Sequence, residues 1–257
     1  MSFPLESLDQ LQGFFWILIR VSILFFLLPL FGAKGVPTLW KAGLSIIISI
    51  VLAPVVPPAQ YYPESIPEII IGVTAEVIMG LIIAVTIKMF FTTVQMAGQF
   101  MSFQMGFAMA RAMDPQTGSQ STVLTQFMYL FTILIFFSFD GHHLFLRALA
   151  SSFQVVPPNT LSFDSSISTV LIKISGNMFL VGVKIAAPIM VALFLSNLCL
   201  GIIARTVPQV NILMVGFPIN LGIGLILLSF VLINISPLLS DLTTRMGEVL
   251  MGLIKLM

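Results

Sequence analysis

The chain has 257 residues, of which 58% are hydrophobic and only 8% are charged, and its formal net charge is +1. Soluble domains average about 25% charged residues, so this composition excludes an ordinary soluble protein and predicts a membrane protein or one buried in an equally apolar assembly. The small net charge and the lack of any basic block predict no nucleic-acid binding. The single Cys199 excludes an intrachain disulfide and a cysteine-based metal site, and we interpret it as a small buried hydrophobe.

The hydrophobic residues are collected into six apolar segments, at 13–31, 42–56, 69–87, 123–139, 169–200 and 212–235. Breaks rich in proline and glycine separate most of them, such as "PVVPPAQYYPESIPE" after the second segment. Lipid cannot hydrogen-bond the backbone, and the runs are long rather than alternating, so we predict an all-α fold. Amphipathic helices are predicted at 88–113 and 237–257.

The first, second and fifth segments carry further information. Glu6 and Asp9 precede the first segment where a signal peptide would carry Lys or Arg, so we expect this segment to stay in the mature protein. The second is short for a membrane span and the fifth is long. These lengths indicate helices that pack at different depths in a complex, as half-spanning hairpins would.

Four charged residues interrupt the apolar segments: Arg20, Glu76, Lys173 and Lys184. A charge at the centre of a membrane helix costs roughly 2.5–3.5 kcal/mol, so each is expected to face protein or water. Glu76 has two interpretations. It is either a carboxylate that couples transport to protons or ions, or one partner of an interhelical ion pair.

Motifs for catalysis and cofactor binding are missing from the sequence. His142 and His143 are adjacent, so on a helix they should point about 100° apart and not share a metal. "GFPINLGIG" carries Gly222 and Gly224 but lacks the third glycine and the strand of a dinucleotide site. We therefore expect no enzymatic activity, no cofactor and no metal.

Three pairs of small residues at four-residue spacing predict close helix–helix approaches. They are Gly80 with Ala84, Gly182 with Ala186, and Asn220 with Gly224.

The stretch "QMAGQFMSFQMGFAMARAMDPQTGSQST" at 95–122 combines a methionine stripe with a polar break. Methionine is flexible and fills changing gaps, so the stripe indicates either ordinary core packing or a deformable seal. Asp114 and Pro115 should end the helix, and Gly118 permits a turn with positive φ. We interpret the stretch as a compressible plug. Its methionines are Met101, Met105, Met109 and Met113.

Two strings resemble the FliR family, the flagellar biosynthesis subunit of the type III export gate. "LGIIARTVPQVNILMVGFPINLGIGLILL" at 200–228 is similar to the signature of that family, and "QMGFAMARAMDPQTGSQSTVLTQF" at 104–127 is similar to its central loop. The length and the six-segment pattern also fit, so the resemblance covers essentially the whole chain. Injectisome subunits share the first motif, and the central loop is nearer the flagellar form.

The resemblance implies a fold of membrane-associated helical hairpins in one export-gate subunit, residues 1–257. Residues 1–168 would correspond to a FliP-like portion and residues 169–257 to a FliQ-like hairpin. The expected partners are subunits of the FliP, FliQ and FlhB families, unfolded flagellar proteins and membrane lipid. The expected location is the flagellar basal body in the bacterial inner membrane.

The resemblance also implies two functional regions. Residues 106–122 match the plug loop that closes the export pore, with Gly106, Phe107, Met109, Arg111, Met113, Asp114, Pro115 and Gly118 as the site residues. The loop between the last two helices would contact neighbouring gate subunits, through Arg205, Pro208, Gln209 and Asn211. For this second loop, a turn that merely satisfies its own helix ends is an equal alternative.

A different class of function stays open on the residues alone. An independent secondary transporter would use Glu76 and the intramembrane lysines, and should show matching repeats around a midplane site. The halves 1–128 and 129–257 show no obvious inverted correspondence. A membrane enzyme is a third alternative without a catalytic constellation.

Overall fold

The structure, a computed structural model, describes residues 8–29, 36–57, 65–107, 122–158, 166–207, 209 and 211–257. Within these ranges all regular secondary structure is α-helical, which confirms the predicted all-α class. The described helices are α1 (Leu8–Leu27), α2 (Thr38–Leu52), α3 (Ile66–Gln104), α4 (Val123–Ser138), α5 (Gly141–Val155), α6 (Ser166–Thr206) and α7 (Ile212–Lys255).

Two of the predicted helix boundaries are wrong. Segments 69–87 and 88–113 belong to one helix, α3, which passes through the exposed Lys88 without a break and ends at Gln104. Segments 212–235 and 237–257 are also one helix, because α7 continues through Pro237. A proline removes one backbone hydrogen bond, but the packing of an apolar helix tolerates this loss.

The sequence prediction missed helix α5. Its buried residues include Phe145, Leu149, Ser152 and Phe153, which recur at three- and four-residue intervals. A search for uniformly apolar runs overlooks such a helix because polar residues interrupt its apolar ones.

Three of the described helices are long and apolar enough to cross a membrane: Ile66–Gln104, Ser166–Thr206 and the Met214–Lys255 part of α7. The number rises to four if α4 and α5, which are bent at the break between them, are counted as one span. Helices α1 and α2 are apolar but shorter. The short second segment predicted from the sequence is therefore a short helix in the structure.

The chain divides into two compact units, and α3, α6 and α7 contribute residues to both. Unit 1 comprises Met1–Phe90, Asp140–Ile174 and Thr243–Met257. Its core is formed by α1 and α3 side chains such as Val21, Leu24 and Met79, all fully buried, and Phe25 packs edge-on against Phe145 of α5. Unit 1 thereby joins the beginning of the chain to its end.

Helix α2 of unit 1 has an inverted pattern of burial. Its buried residues are Ser45 and Ser49, whose hydroxyls donate to the carbonyl oxygens of Lys41 and Ser45 within the helix. Its apolar residues point outward, and Trp40 is 73% exposed and Ile47 59% exposed. A helix of this kind is suited to an apolar surrounding on its outer face, either lipid or another protein.

Unit 2 comprises Phe91–Phe139 and Ser175–Leu242. A Cβ atom added at Gly182 would lie 3.0 Å from the carbonyl oxygen of Thr93, and one at Gly98 would lie 3.1 Å from the Cα of Thr125. Glycine is therefore required where α3 packs against α6 and α4. In unit 1 the same holds at Gly80, where a Cβ would lie 3.1 Å from Ile23.

Cys199 is exposed on α6, so its interpretation as a buried hydrophobe is wrong. It lies on a helix whose outer side carries exposed Leu195, Leu198 and Ile202. The small apolar side chain of Cys199 fits this apolar outer surface as well as it would fit a buried core.

Candidate functional site

Helix α3 ends in a glycine turn at the start of the predicted plug stretch. Met105 N–H still donates to the Met101 carbonyl at 2.9 Å, whereas Gly106 N–H donates to Phe103 at 3.2 Å, and Gly106 has φ of +87°. This left-handed conformation ends the helix and favours glycine. The expectation of one uninterrupted helix as far as Met113 is therefore wrong, because α3 breaks at Gly106, and the predicted end at Asp114 lies outside the described residues.

The other end of the stretch is fixed by Thr122. This residue is the N-cap of α4, and its hydroxyl oxygen accepts from the backbone N–H of Thr125 at 3.2 Å. The same hydroxyl shares a hydrogen bond of 2.6 Å with the hydroxyl of Ser102, in the last turns of α3. The end of α3 and the start of α4 therefore lie next to each other, joined by the hydrogen bond between Ser102 and Thr122. We call this pair of adjacent helix ends the hairpin mouth.

Met105 anchors the end of α3 on α7. A Cβ added at Gly224 would lie 2.6 Å from both Cγ and Cε of Met105, so the methionine occupies a notch that only glycine leaves open. Beside it, the ring of Phe217 lies 3.1 Å from a Cβ position at Gly106. Met101 and Met105 are fully buried, so the described half of the methionine stripe packs as core.

Substitution of Gly224 tests this notch, and Gly222 in the same helix provides the control. Gly224→Ala should lower the free energy of unfolding by about 1–3 kcal/mol, because the new methyl group collides with Met105. A Cβ at Gly222 meets nothing within 4 Å, so Gly222→Ala should be neutral or stabilising by up to about 1 kcal/mol. Thermal unfolding of both variants in detergent measures the difference. Equal melting temperatures would show that the notch is not needed.

The remaining predicted plug residues divide into two groups. Phe107 is described and half-buried. Six others lie outside the described residues: Met109, Arg111, Met113, Asp114, Pro115 and Gly118.

The loop between α6 and α7 presents polar side chains. Arg205 and Gln209 are exposed, and Pro208 lies outside the described residues. The Asn211 carbonyl oxygen accepts from Met214 N–H at 3.1 Å, and its side-chain oxygen lies 3.4 Å from the same nitrogen. Asn211 thus accepts hydrogen bonds from the first turn of α7, while the exposed Arg205 and Gln209 are available for contacts with another molecule.

A polar ladder links α6 to α7 within unit 2. The Ser196 hydroxyl donates to the Asn220 side-chain oxygen at 2.8 Å, and the Asn220 amide donates to the Asn197 side-chain oxygen at 2.6 Å. Asn220 is buried and Asn197 is exposed. Hydrogen bonds of this kind hold apolar helices in one register.

Two of the four predicted intramembrane charges form a buried ion pair in unit 1. Arg20 donates from Nε to Glu76 Oε2 at 2.6 Å and from Nη2 to Glu76 Oε1 at 2.9 Å. Both side chains are almost fully buried, at 1% and 2% exposure. This bidentate geometry is the strongest form of an arginine–carboxylate interaction.

Residues of α5, which the sequence prediction missed, complete this cluster. Arg20 Nη1 donates to the Ser152 hydroxyl at 3.1 Å, and both terminal nitrogens donate to the Val156 carbonyl at 3.3 Å. The guanidinium also lies 4.2 Å from the ring centre of Phe153. The five hydrogen bonds satisfy the arginine, so the cluster clamps α1, α3 and α5 together. The sequence feature that could have pointed to this contact was Ser152, a polar residue on the buried face of α5.

The other two predicted intramembrane charges, Lys173 and Lys184, are exposed on α6.

The two adjacent histidines lie at the start of α5. His142 and His143 do not diverge as expected, because their ring centroids are 4.2 Å apart with an interplanar angle of 37°. Both lie in the first turn of α5, where no preceding helical turn restricts their rotamers.

Comparison with known proteins identifies relatives along nearly the whole chain. A family model described as "Bacterial export proteins, family 1" matches residues 11–246. The chain is 34% identical to the flagellar biosynthetic protein FliR of Bacillus subtilis over 226 residues, or 86% of each chain. It is 30% identical to FliR of Pectobacterium carotovorum, covering 95% of this chain and 94% of that protein. It is 29% identical to FliR of Escherichia coli, covering 97% and 95%.

Proposed function

Since the chain belongs to family 1 of the bacterial export proteins, with flagellar FliR proteins as its relatives, we propose that it is a structural and gating subunit of the flagellar type III export channel. It seals the pore at rest and helps to pass unfolded flagellar proteins. It works without enzymatic activity, in the inner membrane at the flagellar basal body.

The main support for this proposal is the hairpin mouth of unit 2, where the end of α3 and the start of α4 are joined by a hydrogen bond. Ser102 and Thr122 hold the two ends of the plug stretch together, and Gly106 turns the chain away from the α3 axis. A stretch anchored at both ends can be displaced from a pore and return to it without the helices separating. Anchoring of this kind is what a plug on a channel subunit requires.

The seal itself would be made by apolar side chains of the stretch. Phe107, Met109 and Met113 exclude water from a narrow passage, and a hydrophobic constriction blocks ions by dewetting. Methionine side chains fill gaps of changing shape, so they can close again after a substrate has passed.

The proposed partners are the FliP-, FliQ- and FlhB-family subunits. The inverted helix α2, with outward Trp40 and Ile47, offers one apolar contact surface to them or to lipid. The exposed Arg205 and Gln209 offer hydrogen-bond donors and an acceptor at the α6–α7 loop. In this assembly, residues 1–168 would take the FliP-like place and residues 169–257 the FliQ-like place.

The buried ion pair argues against an independent secondary transporter. A coupling carboxylate must exchange protons or ions with water during transport, whereas both oxygens of Glu76 accept from Arg20 in a site closed to solvent. The lysines that such a transporter would also use, Lys173 and Lys184, are on exposed positions of α6.

Extraction from the membrane tests whether the chain works as a subunit. The full chain, carrying a small affinity tag, is solubilised in mild detergent and its mass and composition are measured. We expect it to emerge with partner membrane subunits at a fixed ratio. A stable monomer that moves a small solute across liposomes by itself would contradict the proposal.

A further inference from the structure

The N-terminal end of α5 gathers three side chains that commonly bind metals. Asp140, His142 and His143 each offer one ligand atom, and these atoms lie within 4.8 Å of one another. We propose that these residues bind a divalent transition metal ion of the zinc type. We expected no metal here from the sequence, because adjacent residues of a helix point about 100° apart.

The donor set and its spacing fit such an ion. Two imidazole nitrogens and one carboxylate oxygen form a set that zinc accepts, with one position left for water. Ligands at about 2.0–2.1 Å from a tetrahedral zinc ion lie about 3.3 Å from each other. The distance from His143 Nδ1 to Asp140 Oδ1 is 3.4 Å, so two of the three ligands already have this separation.

The backbone conformation of Asp140 is unusual for a residue that starts a helix. Asp140 is the N-cap of α5, yet it has φ of +53° and ψ of 27° and makes no capping bond with its side chain. An aspartate in this position usually adopts an extended conformation and caps the helix. Here the Asp140 carbonyl oxygen accepts from His143 N–H at 2.9 Å, and the carboxylate lies beside the His143 ring. The left-handed conformation is thus matched to a role other than capping.

A cavity of about 620 Å³ opens beside two of the three residues, Asp140 and His143, within unit 1. It is lined by α5 and the end of α7, including Asp140, His143, Arg147 and Glu248. Its charged lining residues are two carboxylates, Asp140 and Glu248, and one guanidinium, Arg147, and this excess of one negative charge favours a cation. Glu248 places a second carboxylate in the same cavity, and the cavity gives the ion a route from solvent.

Metal content of the assembled protein tests this proposal. The chain contains only two histidines and one cysteine, so few other groups compete for zinc. The full chain is purified with its partners through a tag without histidine, stripped with a chelator and dialysed against zinc. Bound zinc is measured by mass spectrometry, and cobalt replaces zinc to give a visible ligand-field spectrum. The variants are His142→Ala with His143→Ala, Asp140→Asn, and the control Cys199→Ser, which removes the exposed thiol.

We expect about one extra zinc per chain in the wild type and in Cys199→Ser, compared with the double histidine variant. Loss of a ligand should weaken binding more than about tenfold. If the double variant does not assemble, Asp140→Asn, which keeps both rings, must show the same loss. Equal zinc in all variants, no zinc in the wild type, or loss of zinc in Cys199→Ser would each overturn the proposal.

Discussion

Arg20→Met should destabilise the protein by about 3–5 kcal/mol, because it leaves the Glu76 carboxylate buried without its cation. The pair is closed to water and bidentate, so no solvent replaces the lost partner. Thermal unfolding in detergent and the yield of assembled complex measure the effect. Lys184→Met is the matched control, since it removes an exposed charge from another apolar helix and should change stability by no more than about 0.5 kcal/mol.

Replacing both partners separates a structural pair from a coupling site. Arg20→Met with Glu76→Leu removes both charges, and such replacements are often neutral. The Ser152 hydroxyl keeps its bond to the Leu149 carbonyl, but the Val156 carbonyl loses its donors, so a residual cost of about 1–3 kcal/mol is expected. Flagellar export should return in the double variant. A double variant that assembles at normal yield but exports nothing would show that Glu76 acts in coupling.

The sequence predicted features that depend on local pattern. The all-α class and the α4 limits followed from apolar runs, and the predicted segment 123–139 matches Val123–Ser138. Gly80, Gly182 and Gly224 were found by their spacing, since helices can approach closely only at small residues. Membership of the FliR family, identified from the strings at 104–127 and 200–228, is confirmed.

The sequence did not predict which residues meet across the fold. Arg20 and Glu76 are 56 positions apart, and Ser152 is 132 positions from Arg20, so no local pattern connects them. The partner of Gly224, Met105, was equally inaccessible. The proximity of the histidine rings depends on the rotamers that they adopt in the first turn of α5, which composition does not specify.

Deletion of residues 110–118 should open the resting channel to ions. The deletion removes Met113 and the polar break but keeps both anchors, Ser102 and Thr122, so the hairpin mouth of unit 2 is preserved. Each apolar side chain lost from a dry seal removes about 1.5–3 kcal/mol of closing free energy, and about 1.4 kcal/mol corresponds to a tenfold change in the open fraction. A glycine–serine replacement of equal length should also leak, because it keeps the tether and loses the seal.

The most direct test of the proposed seal is the ion conductance of the purified, assembled gate in a planar bilayer. The size of the complex is measured for each variant to show that all of them assemble equally. We expect the wild-type gate to pass almost no ions at rest, and a gate lacking residues 110–118 to carry a steady current. A deletion gate as tight as the wild type would contradict the proposed seal.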